Sequence, residues 1–366
     1  MTTYNRQQFP PLELQLEQVV ALIGRANACL SRYDGLLESL VNPDVLLSPL
    51  LLKEAEFSSR IEGTIATANE VYQQQAGEKF EPGKDADIHE ILNYRGTLRL
   101  AATMLENRPV SLLLLRQMHE HLMQGVRGED KNPGRFRDTQ NWIGPRSCTI
   151  EQATYVPPPP FVLNDLLEEF AAFVNLRSEN LDPIVQAALI HAQFELIHPF
   201  EDGNGRIGRI LIPLFLMKRG SIVSPSLYIS GYLEKHRDIY YGCLERISQE
   251  GDWLGWIEFF LGAIVDQSEN NLRLTRKILE LYERKKREIT DLLHSDQSVY
   301  ILDMLFDTPV FRGTDLHRCL NIQRQRGAQY LRALKEAGII TELRPASGRR
   351  AALLSFPDLL DITDLQ

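Results

Sequence analysis

The segment 183–197, PIVQAALIHAQFELI, is apolar on nearly every face of a helix, and this limits the possible folds more than any other feature of the chain. A helix without a polar face must be surrounded by other elements. The chain is therefore expected to be mostly α, with this helix at its centre. Asp182-Pro183 opens it, the aspartate as N-cap and the proline in the first turn, where a missing N–H costs nothing. Pro199 ends it by disfavouring helical geometry at His198. A glycine stretch follows and starts a second helix, expected to reach Lys218 or Arg219 with Gly220 as C-cap.

The surrounding chain has a similar helical pattern. Leu112 to Val126 and Phe161 to Phe173 carry apolar residues three and four apart, and Leu261 to Leu293 reads as one long amphipathic helix. One segment breaks this pattern. In residues 141–160, NWIGPRSCTIEQATYVPPPP, the β-prone pieces Trp142-Ile143 and Thr154-Tyr155-Val156 read as a small hairpin that the prolines end. After His294, three short helices and the hairpin IITELRPASGRRAALLSF with its Ser-Gly turn suggest a winged helix-turn-helix.

The chemistry concentrates in residues 198–209, HPFEDGNGRIGR. Gly203, Gly205 and Gly208 fit the G-x-G-x-x-G dinucleotide fingerprint, but a helix precedes them where a strand is needed, and no acidic residue follows until Glu234. His191, Glu195 and His198 contain one E-x-x-H. A di-iron bundle needs a second, and the chain has none, so His191 and Glu195 are expected to be buried polar residues satisfied by hydrogen bonds. Phosphate chemistry remains. Gly203, Asn204 and Gly205 open a helix, where unpaired N–H groups and the dipole form an anion nest. Arg206 and Arg209 project from one face, and two guanidiniums over a nest suit a polyphosphate. Asp202 is placed to hold Mg²⁺, and His198 to accept a proton from an attacking hydroxyl.

These residues match the Fic signature H-P-F-x-D-G-N-G-R-x-x-R at every fixed position, and the chain is similar to that family over about residues 40–265. The resemblance implies an all-α fold that transfers AMP from ATP to a Tyr, Thr or Ser hydroxyl of a target protein, with the chain itself as one candidate target. It implies His198 as general base, Asp202 on Mg²⁺, Gly203, Asn204 and Gly205 on the α- and β-phosphates, Arg206 assisting and Arg209 on the γ-phosphate. It also sets Val156, Ile207, Gly208, Tyr240 and Tyr241 against the nucleotide. Phe200 is implied to be a core anchor, and the hairpin resembles the flap that aligns a target by strand addition. NPGRFRD (132–138) resembles the stretch leading into that flap.

Ser58-Ser-Arg-Ile-Glu62-Gly63 fits the family's inhibitory pattern [S/T]-x-x-x-E-[G/N]. On a helix Ser58 and Glu62 share a face, and a carboxylate at Arg209 would take the donors meant for the γ-phosphate. The expected organisation is an N-terminal helical region with the inhibitory motif (1–100), a Fic core (101–265), a connecting helix (266–294) and the winged helix-turn-helix (295–366).

Net charge of −9 argues against a general nucleic-acid or membrane-surface binder, and the apolar runs are too short to span a bilayer. Cys29, Cys148, Cys243 and Cys319 form no C-x-x-C pair, and the N-terminus has no signal-peptide pattern, so a reduced, cytoplasmic protein is expected. From Ser298 to Phe356 eight Arg and one Lys face five acidic residues. Gln323 to Arg326 and Arg349-Arg350 are thus candidate DNA contacts, and a second copy of the chain is a further candidate partner. Two alternatives stand beside the transferase: a DNA-binding regulator whose nucleotide site only senses ligand, and a de-adenylylating enzyme in which Glu62 orients a water.

Overall fold

A computed structural model of the chain describes all residues except 1, 6–8, 12–13, 107, 146–147, 179, 349 and 364–366. In chain order the helices are α1 (Val20–Glu38), α2 (Pro43–Ile61), α3 (Ala68–Gln75), α4 (Pro82–Leu105), α5 (Leu112–Leu122), α6 (Leu163–Asn175), α7 (Pro183–Ile197), α8 (Asn204–Lys218), α9 (Ser230–Lys235), α10 (Arg237–Glu250), α11 (Trp253–Leu293), α12 (Ser298–Asp307), α13 (Asp315–Cys319), α14 (Arg324–Glu336) and α15 (Pro357–Thr363). The short strands are β1 (Thr2–Thr3), β2 (Tyr155–Val156), β3 (Val310–Arg312), β4 (Thr341–Arg344) and β5 (Leu353–Ser355).

The apolar helix is α7, and it is central as its composition requires. The Asp182 side chain accepts from Ile184 N–H at 2.8 Å and Val185 N–H at 3.4 Å, and from Pro183 to Ile197 almost every side chain is buried. Its nearest partner is α8, also buried along most of its length, with α1, α6, α10 and α11 packed around α7. Gly220 follows α8 at φ 74°, in the left-handed region that favours glycine at a helix end.

Two helices connect this centre to the rest. α2 packs against α4, α8 and α9 and also against α11, α12 and α15. α11 is longer than the amphipathic pattern indicated. It begins at Trp253, because Asp252 accepts from Gly255 N–H at 2.8 Å and caps it eight residues earlier than Leu261. Its 41 residues run unbroken past 265 for about 60 Å, from α1 to the C-terminal elements.

Beyond α11, α12 to α15 surround an antiparallel sheet of order β3-β5-β4. The expected turn between β4 and β5 is closed by a Ser347–Arg350 bridge around Gly348 at φ 57°. The flap differs from a regular hairpin. Among the described residues its two arms share one ladder bridge, Ile143–Tyr155, and the opposite edge of β2 is taken in parallel by β1, with Thr2 paired to Tyr155. A two-residue strand has no periodicity to read, so this pairing leaves no mark in the local sequence.

Candidate active site

The site is the turn between α7 and α8. α7 ends at His198, a non-glycine residue at φ 50°, a costly conformation that the following proline and the packing around it hold in place. Its Nδ1 lies 3.2 Å from the Glu195 carbonyl, which fixes that nitrogen as the N–H and leaves Nε2 as the free acceptor. Burial lowers the His198 pKa to about 4, although the Glu195 carbonyl opposes it, so the ring is neutral at pH 7.

Asn204 closes the loop. Its Oδ1 accepts from Phe200 N–H at 2.8 Å and its Nδ2 donates to Phe200 C=O at 2.9 Å, so the side chain ties the turn to the first residues of α8. Gly203 stands at φ 78°, and its N–H donates to Asp202 Oδ1 at 2.6 Å. Asp202 itself is 42% exposed.

The two arginines are enclosed. Arg206 pairs with the buried Glu90 of α4 at 3.2 Å and approaches Asp202 at 3.5 Å. Arg209 donates from Nε to Ser58 Oγ at 2.8 Å and from Nη2 to Ser58 C=O at 2.9 Å and Glu62 Oε1 at 2.7 Å. Ser58 and Glu62 thus share one face at the end of α2, and Gly63 at φ 93° turns the chain away behind them. A Cβ added at Gly205 would collide with the Glu62 carboxylate, so that group rests on the first turn of α8. Burial pushes the Glu62 pKa up and Arg209 more than reverses it, leaving a carboxylate below its usual range. Burial pushes Arg209 down and Glu62 raises it above the ordinary arginine value.

Three residues of this site had not been singled out. Glu90 also accepts from Thr64 Oγ1 at 2.6 Å, joining Arg206 to the segment after the inhibitory turn. His119 of α5 accepts from Gly134 N–H at 2.9 Å through Nδ1, donates from Nε2 to Asp202 C=O at 3.0 Å and stacks on Phe200 with ring centroids 3.8 Å apart. Arg137, within NPGRFRD, donates to the carbonyls of His198 (2.9 Å) and Pro158, fastening the flap to the end of α7. Glu201, by contrast, turns out to Asn132 at 2.8 Å.

Other expected ligand contacts fall elsewhere. Ile207 is fully buried and its N–H donates to Gly203 C=O, and Gly208 faces Glu195 and His191, so both belong to the core side of α8. Tyr240 is 1% exposed, with its hydroxyl 2.9 Å from His191 Nε2, so it too is a core residue; Tyr241 beside it is 40% exposed. Val156 lies on the flap strand beside Thr3, Tyr4 and Pro157. His191 and Glu195 are only partly satisfied, since His191 Nδ1 and Glu195 Oε1 are buried without partners. Burial raises the Glu195 pKa to about 8 and lowers that of His191 to about 3. Among the described residues no three His, Cys, Asp or Glu gather as a metal cluster, and no helix is long and apolar enough to cross a membrane.

Comparison with known proteins agrees with this geometry. Residues 20–103 match the family described as Fic/DOC family N-terminal, and residues 109–216 match the Fic/DOC family. The protein adenylyltransferase Fic of Culex quinquefasciatus is 32% identical over 196 residues, 52% of this chain and 35% of that protein. Its namesake in Drosophila grimshawi is 31% identical over 230 residues, 61% of this chain and 43% of that protein. The chain thus spans less than half the length of these relatives. Among solved structures, a Fic family protein from Desulfovibrio desulfuricans G20 aligns with a TM-score of 0.62 at 20% identity, covering 95% of this chain and 98% of its own. Fic-1 (aa 134–508) from C. elegans aligns with a TM-score of 0.55 at 21% identity, covering 72% of this chain and 75% of its own. At these identities the likeness is one of fold.

Proposed function

Since the chain belongs to the Fic/DOC family, we propose that it is a protein adenylyltransferase that Glu62 holds inhibited. One observation carries this reading: the Glu62 carboxylate lies on Gly205 and is bonded to Arg209 at 2.7 Å, where an anion at the nest would find its donors.

In this reading the first N–H groups of α8, at Gly203, Asn204 and Gly205, receive the α- and β-phosphates of ATP. Arg209, once released by Glu62, pairs with the γ-phosphate, while Arg206 adds positive potential from beneath, fixed there by Glu90. His198 Nε2 takes the proton of the target hydroxyl as its oxygen bonds to the α-phosphorus. The bond from that phosphorus to the bridging oxygen breaks, and pyrophosphate leaves. Asp202 suits Mg²⁺, because one partly exposed carboxylate beside phosphate oxygens is what this ion takes, and when bound it would neutralise phosphate charge. Tyr241, with its exposed ring, is the tyrosine able to face the adenine. The partly exposed Trp142 and Ile143 on the outer arm of the flap offer an edge to a target strand.

The organisation consistent with this is an inhibitory N-terminal region (1–100), a catalytic core (101–265), a connecting stretch (266–294) and a winged helix-turn-helix (295–366). The test is intact-mass analysis after incubation with ATP and Mg²⁺, wild type beside Glu62→Gly, alone and with candidate target proteins. Adenylate should add to protein, more in the variant. A nucleotide sensor would add none in either, and a de-adenylylating enzyme would instead strip a modified target.

A further inference from the structure

The C-terminal module holds the inhibitory region at several points. Ser48 of α2 donates to Asp307 of α12 at 3.3 Å. Arg312 of β3 donates to Gly77 C=O at 2.6 Å, and a Cβ added at Gly77 would collide with its guanidinium. Arg344 at the end of β4 pairs with Glu78 at 3.0 Å, and Arg350 across the turn pairs with the same carboxylate. Glu78 follows α3, whose first N–H, at Ala68, donates to Glu56 of α2 at 2.9 Å. A chain of direct contacts therefore runs from the β4–β5 ribbon through Glu78 and α3 to the helix that ends at Glu62.

The same module carries exposed arginines that pair with no carboxylate among the described residues. Arg318, Arg324, Arg326 and Arg332, on α13 and α14, are exposed, and among the described residues none pairs with a carboxylate. Arg326 instead donates to Tyr330 Oη at 2.6 Å and lies over that ring. Arg349 lies outside the described residues. Exposed arginines on α13 and α14 beside an arginine-bearing ribbon complement a duplex backbone better than an apolar protein face. The Arg350 side chain is 53% exposed. Its partner Glu78 is 14% exposed and is shared with Arg344.

We propose that this arginine surface is a docking site for the phosphate backbone of duplex DNA, and that Glu78 occupies its ribbon arginines in the inhibited chain, so that DNA and the Glu62 latch oppose each other. The docking half stands on charge and geometry alone; the coupling half rests on the transferase reading above. Because coupling is reciprocal, whatever frees Arg344 and Arg350 from Glu78 should both tighten DNA binding and loosen the latch.

Fluorescence anisotropy of a labelled mixed-sequence duplex of roughly 30 base pairs, at roughly 50 mM salt, separates the two halves. The full chain should bind. Glu78→Gln, a polar change at a partly exposed loop, should bind about fivefold tighter. Arg344→Ala/Arg350→Ala should bind more weakly, with the slope of log affinity against log salt shallower by about two. Absence of duplex binding, or equal affinity for wild type and Glu78→Gln, overturns the docking site. Adenylate transfer measured with and without the duplex tests the coupling. Wild-type transfer should rise with DNA while Glu62→Gly transfer stays level. If Glu62→Gly transfers and the wild type ignores bound DNA, the coupling is wrong. If no variant transfers, the transferase reading fails, and anisotropy still decides the docking site.

Discussion

Arg206 and Glu90 form a buried ion pair, 1% and 0% exposed, with nitrogen and oxygen 3.2 Å apart. Removing one partner of such a pair leaves the other charge uncompensated, which costs about 3–5 kcal/mol. Glu90→Gln keeps the shape and an acceptor for Thr64 and leaves Arg206 only the partly exposed Asp202 at 3.5 Å as carboxylate partner, so a loss near the lower end, about 3 kcal/mol, is expected. Arg206→Gln leaves Glu90 with Thr64 Oγ1 at 2.6 Å and Arg127 at 3.5 Å. With those partners retained, its cost should be smaller, about 2 kcal/mol. The double variant buries no charge on either side, so its cost should fall short of the sum by about 1–3 kcal/mol. Urea unfolding followed by tryptophan fluorescence is the assay. The three tryptophans, Trp142, Trp253 and Trp256, all precede the C-terminal module, so the signal reports the catalytic part. Additivity within about 0.5 kcal/mol would mean the pair does not act as a unit, and the account of how Arg206 is held beneath the nest would be wrong.

Further outcomes follow from the same geometry. His198→Ala should keep ATP binding and lose transfer by about 10² to 10⁴. Because burial lowers the His198 pKa to about 4, the neutral ring is the base, and Glu62→Gly removes a carboxylate that raises it, the acid limb of kcat/KM in that background should fall at or below about pH 4. A limb near the ordinary histidine value would contradict that. Asp202→Ala should lose activity that Glu201→Ala keeps, with turnover partly restored by raising Mg²⁺; equal losses would refute the distinction. Glu195 has a folded pKa raised to about 8, so the stability it permits is present at low pH and is lost as pH rises from the unfolded carboxylate value through 8. Glu195→Gln should therefore raise Tm more at pH 8 than at pH 5, and an equal effect at the two pH values would show that the group ionises freely in the fold.

Much of the site could be read from local sequence, because the relevant signals are local. Asp182-Pro183 states a cap, His198-Pro199 an ending, and the glycines a start, each within a few residues. Ser58 and Glu62 are one turn apart, which suffices to put them on one face, and both reach Arg209. The residues that hold the site from outside could not be found this way. Glu90, His119 and Arg137 are separated from their partners by 116, 83 and 61 residues. In sequence each is an ordinary polar residue, and no periodicity announces a pairing at that range. Arg137 came nearest, standing in a stretch already noted for its resemblance. Tyr240 and Tyr241 show another limit. Adjacent helical residues point about 100° apart, and only the packing of Trp256 and Phe259 decides which ring is enclosed. The flap is less regular than its β-prone arms suggest: among the described residues those arms share one bridge, and the second partner of β2 comes from the far N-terminus.

The central claim is that Glu62 competes with the γ-phosphate for Arg209. Initial rates of adenylate transfer, self-modification included, for wild type, Glu62→Gly, Arg209→Ala and the double variant test it most directly. Loss of a charge-assisted contact worth about 1.5–3 kcal/mol should make Glu62→Gly faster by roughly tenfold to a hundredfold. Arg209→Ala should be inactive with or without Glu62, because the freed guanidinium is what the variant gains. Glu62→Gly no faster than wild type across several target proteins, or a double variant as fast as Glu62→Gly, would contradict the account.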